Sequence, residues 1–221
     1  STLRRTWAEI DLDALAHNYR TLRSRMGGRA RFLGVVKADA YGHGAVEVSR
    51  TLEELGAEYL AVSNLDEALE LRQGGVALPI LQLGLTPADQ TAQAMACRVT
   101  QAVWSERAAL DFSREAQKAG GTLKIHIKLD TGMSRLGFPC GEERFEESME
   151  AIRRVCALPG LEAEGIFTHF AVSDEADEDS RAYTLRQYRR FTAMTEALAD
   201  KGVAFAIRHC ANSGAAAGYP Q

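Results

Sequence analysis

The sequence has no cysteines spaced for a metal or a redox couple: Cys97, Cys140, Cys156 and Cys210 are dispersed, with no CxxC pair. That excludes a zinc ribbon or a disulfide scaffold and reads as reduced thiols in the core or on the surface. Long hydrophobic runs are also missing. No continuous apolar stretch approaches the roughly 20 residues that cross a bilayer, and the N-terminal segment lacks the basic and apolar regions of a signal peptide. There is no basic excess either, and a net charge of −4 gives no electrostatic footprint for nucleic acid. Low-complexity segments are absent and no fixed period repeats. These absences make the cytoplasm the expected location, and 221 residues suffice for one large core.

What the chain does carry is a regular alternation of apolar runs and helical stretches. A first helix is expected over Leu12–Met26, N-capped by Asp11, with Leu12, Leu15, Tyr19, Leu22 and Met26 on one face and Gly27-Gly28 ending it. It would pack on the outside as an extra element. Beyond it, strands are expected at Phe32–Lys37, Tyr59–Val62, Ile80–Leu83, Val99–Val103, Leu123–Leu129, Leu161–Phe167 and Phe205–Cys210. Such an order is the pattern of βα units in a parallel sheet. The helices between are punctuated by Asn64 with Glu67 as a capping box, Thr86-Pro87 as N-cap and first residue, Ser105 as N-cap, and Gly56, Gly74 and Gly120 as stops. The acidic stretch Ser173–Asp179, ahead of a helix starting near Ser180, reads as a solvated loop.

Lys37 closes the first apolar run and is followed by a turn ending in Gly42-His43-Gly44. A lysine withdrawn from water holds its proton less tightly, and the neutral amine is a nucleophile able to form a Schiff base. The same side chain could equally snorkel to the surface. The run at Leu123–Leu129 alternates strictly: Leu123, Ile125, Ile127 and Leu129 face one way, and Lys124, His126 and Lys128 the other. The apolar row belongs against helices, so the polar row points inward, where charge needs partners. Lys124, at the strand start, is read as reaching water at an open edge, and Met133 as packing.

The segment VVKADAYGHG, Val35–Gly44, resembles the cofactor-lysine signature of the alanine racemase family, pyridoxal-phosphate enzymes built on a (β/α)8 barrel. Three further segments in matching order resemble the same family: HIKLDTGMSRLG at His126–Gly137, GIFTHF at Gly165–Phe170, and Asn212-Ser213. The resemblance implies an α/β fold of TIM-barrel type with its site residues at strand C-terminal ends. It implies that Lys37 holds pyridoxal 5′-phosphate as an imine and acts as base on the α-proton of the D-enantiomer. Tyr41, Asn212 and Ser213 would contact the cofactor, the two hydroxyls at its phosphate with N–H groups at the start of Gly214–Gly218. Arg135 would stand near the cofactor's phenolic oxygen and the substrate carboxylate. His169 would orient a tyrosine of the partner subunit that serves as base on the opposite face. Lys128 matches a position carbamylated in many members, where the added negative charge orients the arginine.

A closed barrel of this kind uses eight strands and about 250 residues. Here Pro220-Gln221 falls where the chain would lead into the eighth. The expectation is therefore one incomplete barrel domain over residues 1–221, truncated after strand seven, without the C-terminal β-domain of the family. The implied activity is racemisation of L- and D-alanine, supplying D-alanine for peptidoglycan, in a homodimer that binds neither metal, membrane nor nucleic acid. Racemisation of serine or of a broader amino-acid range is a second reading. A third is a chain that binds the cofactor or a partner without racemising, and a regulatory pyridoxal-phosphate-binding barrel fits the motifs less closely.

Overall fold

A computed structural model of the chain describes residues 6–28 and 30–219. Its strands are β1 (Leu33–Val35), β2 (Tyr59–Val62), β3 (Ile80–Gln82), β4 (Val99–Val103), β5 (Leu123–Asp130), β6 (Phe138–Pro139), β7 (Leu161–Phe167) and β8 (Ile207–His209). Its helices are α1 (Leu12–Arg25), α2 (Lys37–Gly42), α3 (Ala45–Glu54), α4 (Leu65–Gln73), α5 (Thr91–Ala96), α6 (Glu106–Lys118), α7 (Phe145–Cys156), α8 (Glu178–Asp200) and α9 (Ser213–Gly218). The sheet is parallel throughout, in the order β1-β2-β3-β4-β5-β7-β8, with the two-residue β6 beside the end of β5.

Two apolar layers show why this sheet curls. On the helix side Leu60, Ile80, Ile125, Ile127 and Ile166 pack with Leu71, Phe112, Ile152 and Leu198. On the other side Tyr59, Ala61, Leu81, Ala102 and Phe167 form a second cluster, joined by Leu33, Leu83 and Ile207. A flat sheet could not bring β1, β4 and β8 into one small cluster. The Tyr59 hydroxyl on β2 donates to Glu164 on β7 at 3.0 Å, spanning the interior. The architecture is thus an α/β, TIM-barrel-like arc with a filled inside.

The expected strands at Tyr59–Val62, Val99–Val103 and Leu161–Phe167 are those observed, and Asp11, Asn64 and Ser105 each cap a helix with the side chain accepting a first-turn N–H. Five expectations need correction. The first strand stops at Val35 instead of running through Lys37: the Val36 N–H makes one last bond to the Ala61 carbonyl, but Val36 leaves the extended conformation as the N-cap of α2. β3 and β8 are likewise shorter than the apolar runs, and β6 is too short to leave a pattern. Thr86-Pro87 starts no α-helix: a 3₁₀ turn at Ala88–Gln90 follows, and the Thr86 hydroxyl points inward to Gln101 and Gln82. β5 is not an edge strand but lies between β4 and β7; Lys124 reaches water because it sits at the strand's N-terminal end. Finally, α8 begins at Glu178 because Asp177 takes the N-cap. The acidic side chains from Asp174 to Asp179 are exposed as expected, whereas Ser173 is buried.

The four cysteines are free. Among the described residues no helix is long and apolar enough to cross a membrane. Pro220 and Gln221, where an eighth strand was expected to be approached, lie outside the described residues.

Candidate active site at the carboxyl ends of the strands

Parallel strands put all their carboxyl ends on one side, and the motif residues gather there. Lys37 and Tyr41 follow β1, Arg135 follows β5, His169 follows β7, and Asn212 with Ser213 follows β8. Lys128 stands near the end of β5 itself.

The turn carrying Lys37 is left-handed. Ala38, Asp39, Ala40 and Tyr41 have φ of 52°, 55°, 51° and 57°, a conformation costing about 1–2 kcal/mol for each L-residue. Specific bonds hold it. The Ala38 N–H donates to a Glu67 carboxylate oxygen at 2.8 Å, and the Ala45 N–H to Asp39 Oδ1 at 2.6 Å. The other Glu67 oxygen accepts from the Ser63 N–H at 2.7 Å. Glu67 therefore does not complete the expected capping box: Asn64 accepts the Glu67 N–H, but the carboxylate reaches outward to pin the turn after Lys37. Lys37 is left half-buried, with its Nζ 6.0 Å from the ring centroid of the exposed Tyr41.

Arg135 stands on a loop folded back tightly on β5. Asp130 Oδ1 accepts the N–H groups of Gly132 at 3.0 Å and Ser134 at 2.9 Å. Gly137, with φ 136°, closes the loop where a Cβ would stand 2.4 Å from the Asp130 nitrogen. The Arg135 side chain is exposed. Beneath it, Lys128 lies with its ammonium 4.9 Å from the Phe167 ring centroid. Burial, then the Arg135 charge, pushes Lys128 down to about 8, while Asp130 pulls weakly the other way.

His169 is half-buried, and burial reinforced by the charges of Lys128, Arg135 and Lys37 lowers its proton affinity. The four residues thus share one electrostatic neighbourhood. None of the three cations makes an ion pair with a carboxylate among the described residues. Asn212 caps α9 by accepting the Ala215 N–H at 2.9 Å and takes the Ser173 hydroxyl at 2.6 Å. Ser213 is exposed beside it. No hydrogen bond joins Asn212 or Ser213 to the lysine–arginine–histidine group among the described residues.

A polar chain inside the arc was only half foreseen. His126, fully buried, faces inward as its alternation predicts, and its Nδ1 meets His209 Nε2 at 3.0 Å. Its Nε2 lies 3.4 Å from Glu164, which also binds Lys124 at 2.7 Å and Tyr59 at 3.0 Å. His209 stacks on Phe167, with centroids 4.6 Å apart. The partners His209, Glu164 and Tyr59 were missed. The usable signal was Glu164, a carboxylate inside a strand that turns fully apolar at its end.

The donor set suits pyridoxal 5′-phosphate: an amine without a carboxylate partner at Lys37, uncompensated positive charge at Lys128 and Arg135, and hydroxyls at Tyr41 and Ser213 on the same side for a phosphoryl dianion.

Comparison with known proteins gives a consistent result. The family described as "Alanine racemase, N-terminal domain" matches residues 10–221. An alanine racemase of Desulforamulus reducens is 44% identical over 215 residues, covering 97% of this chain and 56% of that protein. One from Desulfovibrio desulfuricans is 44% identical over 218 residues, covering 99% and 57%. The solved structure of a Clostridium difficile 630 alanine racemase, in complex with cycloserine, superposes with a TM-score of 0.92 at 38% identity, covering 100% of this chain and 59% of that one. The chain spans just over half the length of the curated relatives it matches.

Proposed function

The chain belongs to the alanine racemase N-terminal-domain family, and from that premise we propose that it acts in pyridoxal-phosphate-dependent racemisation of alanine, supplying D-alanine for peptidoglycan in the cytoplasm. The observation that carries this reading is the placement of Lys37, Arg135 and His169 directly after the carboxyl ends of β1, β5 and β7, with Lys128 near the end of β5.

Bound pyridoxal phosphate supplies an electron sink for the α-carbanion of an amino acid. Lys37 would hold the group through its amine, and the same amine would serve as base on the α-proton of the D-enantiomer. Glu67 and Asp39 fix the backbone from which Lys37 projects. Arg135 offers its fork of donors to the substrate carboxylate, and its loop geometry is set by Asp130. The Tyr41 and Ser213 hydroxyls would hold the phosphate end, with Asn212 beside them capping α9. Burial, reinforced by the neighbouring cations, disfavours a proton on His169, which suits it to exchange a hydrogen bond with the tyrosine hydroxyl that serves as base on the other face. In this family that tyrosine comes from the partner subunit, so the working unit of this reading is a homodimer. Carbamylated, Lys128 would turn from a repelling cation into an anion facing Arg135.

Lys37→Ala tests the proposal. The unsubstituted protein should acquire a lysine-linked cofactor absorbance that borohydride fixes on Lys37, and should wash the α-hydrogen of D-alanine into D₂O. The variant should lose both. Retention of the linked absorbance in Lys37→Ala would overturn the assignment.

A further inference from the structure

α8 supplies none of the site residues named so far, yet one of its faces is occupied by the two segments that carry Arg135 and His169. Tyr183, Gln187 and Arg190 recur there at helical spacing. The Tyr183 hydroxyl donates to the Gly132 carbonyl at 2.6 Å, and Arg190 donates to the Thr131 carbonyl at 3.0 Å. Gln187 is fully buried and divides its amide between both segments. Its Nε2 donates to Thr131 Oγ1 at 3.2 Å and to the His169 carbonyl at 3.3 Å, while its Oε1 accepts the Ala171 N–H at 2.9 Å. A second tie lies alongside, where Thr131 Oγ1 meets Thr168 Oγ1 at 2.8 Å.

A buried amide needs its donors and acceptor satisfied. Gln187 directs them at two loops from different strands. We propose that Gln187 is a positioning residue that fixes the Arg135 loop against the His169 loop, with Tyr183 as a second clamp. Neither touches the reacting atoms. The inference rests on reading Arg135 and His169 as site residues, and it accounts for how they keep a set separation although one sits on an exposed loop.

In the cofactor-free protein the charges of Lys128, Arg135 and Lys37 all bear on His169, so its titration there reports that separation, and the holoprotein provides the comparison with Lys37 engaged. We would follow the His169 imidazole by NMR across pH in the holoprotein and the cofactor-free protein, for Gln187→Met, Tyr183→Phe and Met194→Ala. Met194 lies further along α8, in the apolar core. Gln187→Met and Tyr183→Phe should move the His169 midpoint upward, and Gln187→Met should speed Ala171 amide exchange at least tenfold. Met194→Ala should leave the midpoint in place. A midpoint unchanged in both folded clamp variants, or moved equally by Met194→Ala, would overturn the inference. Should Gln187→Met not fold, Tyr183→Phe decides alone. Failure of the racemase reading would show separately, as a protein without Lys37-linked cofactor absorbance.

Discussion

His126 Nδ1 lies 3.0 Å from His209 Nε2 in the interior of the arc, so one of these nitrogens carries the proton and the other is bare. Glu164 decides which. A carboxylate 3.4 Å from His126 Nε2 favours the proton there, which leaves His126 Nδ1 as acceptor and His209 Nε2 as donor. Burial, then the electrostatic influence of His126 and Lys128, holds His209 well below the ordinary histidine range, so its imidazole is neutral. The chain of carboxylate and two imidazoles thus runs from Glu164 on β7 through His126 on β5 to His209 at the end of β8, just before Asn212.

Glu164 should give the fold an acid-sensitive element. Its carboxyl is held down to about 2 by His126, Lys124 and Tyr59, against burial, which works the other way. A depressed carboxyl stabilises above its unfolded value near 4.5 and loses that contribution as pH falls toward 2. Solvent screens part of that shift at this half-buried site, which leaves about 1–2 kcal/mol. Urea unfolding of Glu164→Gln and the parent should differ by roughly that amount at pH 7, with the gap closing below pH 4. A gap independent of pH would refute the charge assignment.

Lys128 should behave in the opposite sense. Its affinity for a proton is lowered to about 8 from 10.5, so the folded state carries a penalty below pH 8 that is relieved as pH rises toward 10.5. In buffer free of carbon dioxide, Lys128→Met should be more stable than the parent at pH 7 by up to about 3 kcal/mol, and the gain should shrink between pH 8 and 10.5. With ¹³C-bicarbonate the neutral amine should yield a carbamate resonance that the variant lacks.

Glu67→Ala should act on the Lys37 turn from outside it. Losing the acceptor for the Ala38 and Ser63 N–H groups should cost about 1–3 kcal/mol of stability and weaken cofactor retention roughly tenfold for each 1.4 kcal/mol transmitted to the turn. Equilibrium dialysis of pyridoxal phosphate against both proteins measures this. Unchanged retention would show that Lys37 is placed without Glu67.

Gly165→Ala tests the packing of the interior chain. Gly165 is paired with His126 across β5 and β7, and a Cβ there would stand 2.6 Å from the buried imidazole. Neither strand can yield, so thermal unfolding should show a loss of about 1–3 kcal/mol together with a changed His126–His209 signature in ¹⁵N spectra. A neutral substitution would mean the ring moves freely.

Much of the fold was legible from periodicity, because a strand buried on the helix side and turned inward on the other imposes strict alternation, as Leu123–Leu129 shows. Caps such as Asp11 and Ser105 were equally plain, since an N-cap bond joins residues three apart. Glu67 was misassigned for the converse reason: its decisive partner, the Ala38 N–H, is distant along the chain. The end of the first strand was misplaced because Lys37 follows an apolar run, while four side-chain-bearing residues in left-handed conformation leave no local signature.

The sequence by itself determined the order of βα units, the inward row of β5 and the motif lysine, each of which depends on spacing along one element. Tertiary structure alone decided that Glu164 and Tyr59 meet across the interior, that His126 bonds to His209, and that Gln187 ties two loops together. Those contacts join distant stretches of chain, and they form only once the sheet curls and removes their polar atoms from water.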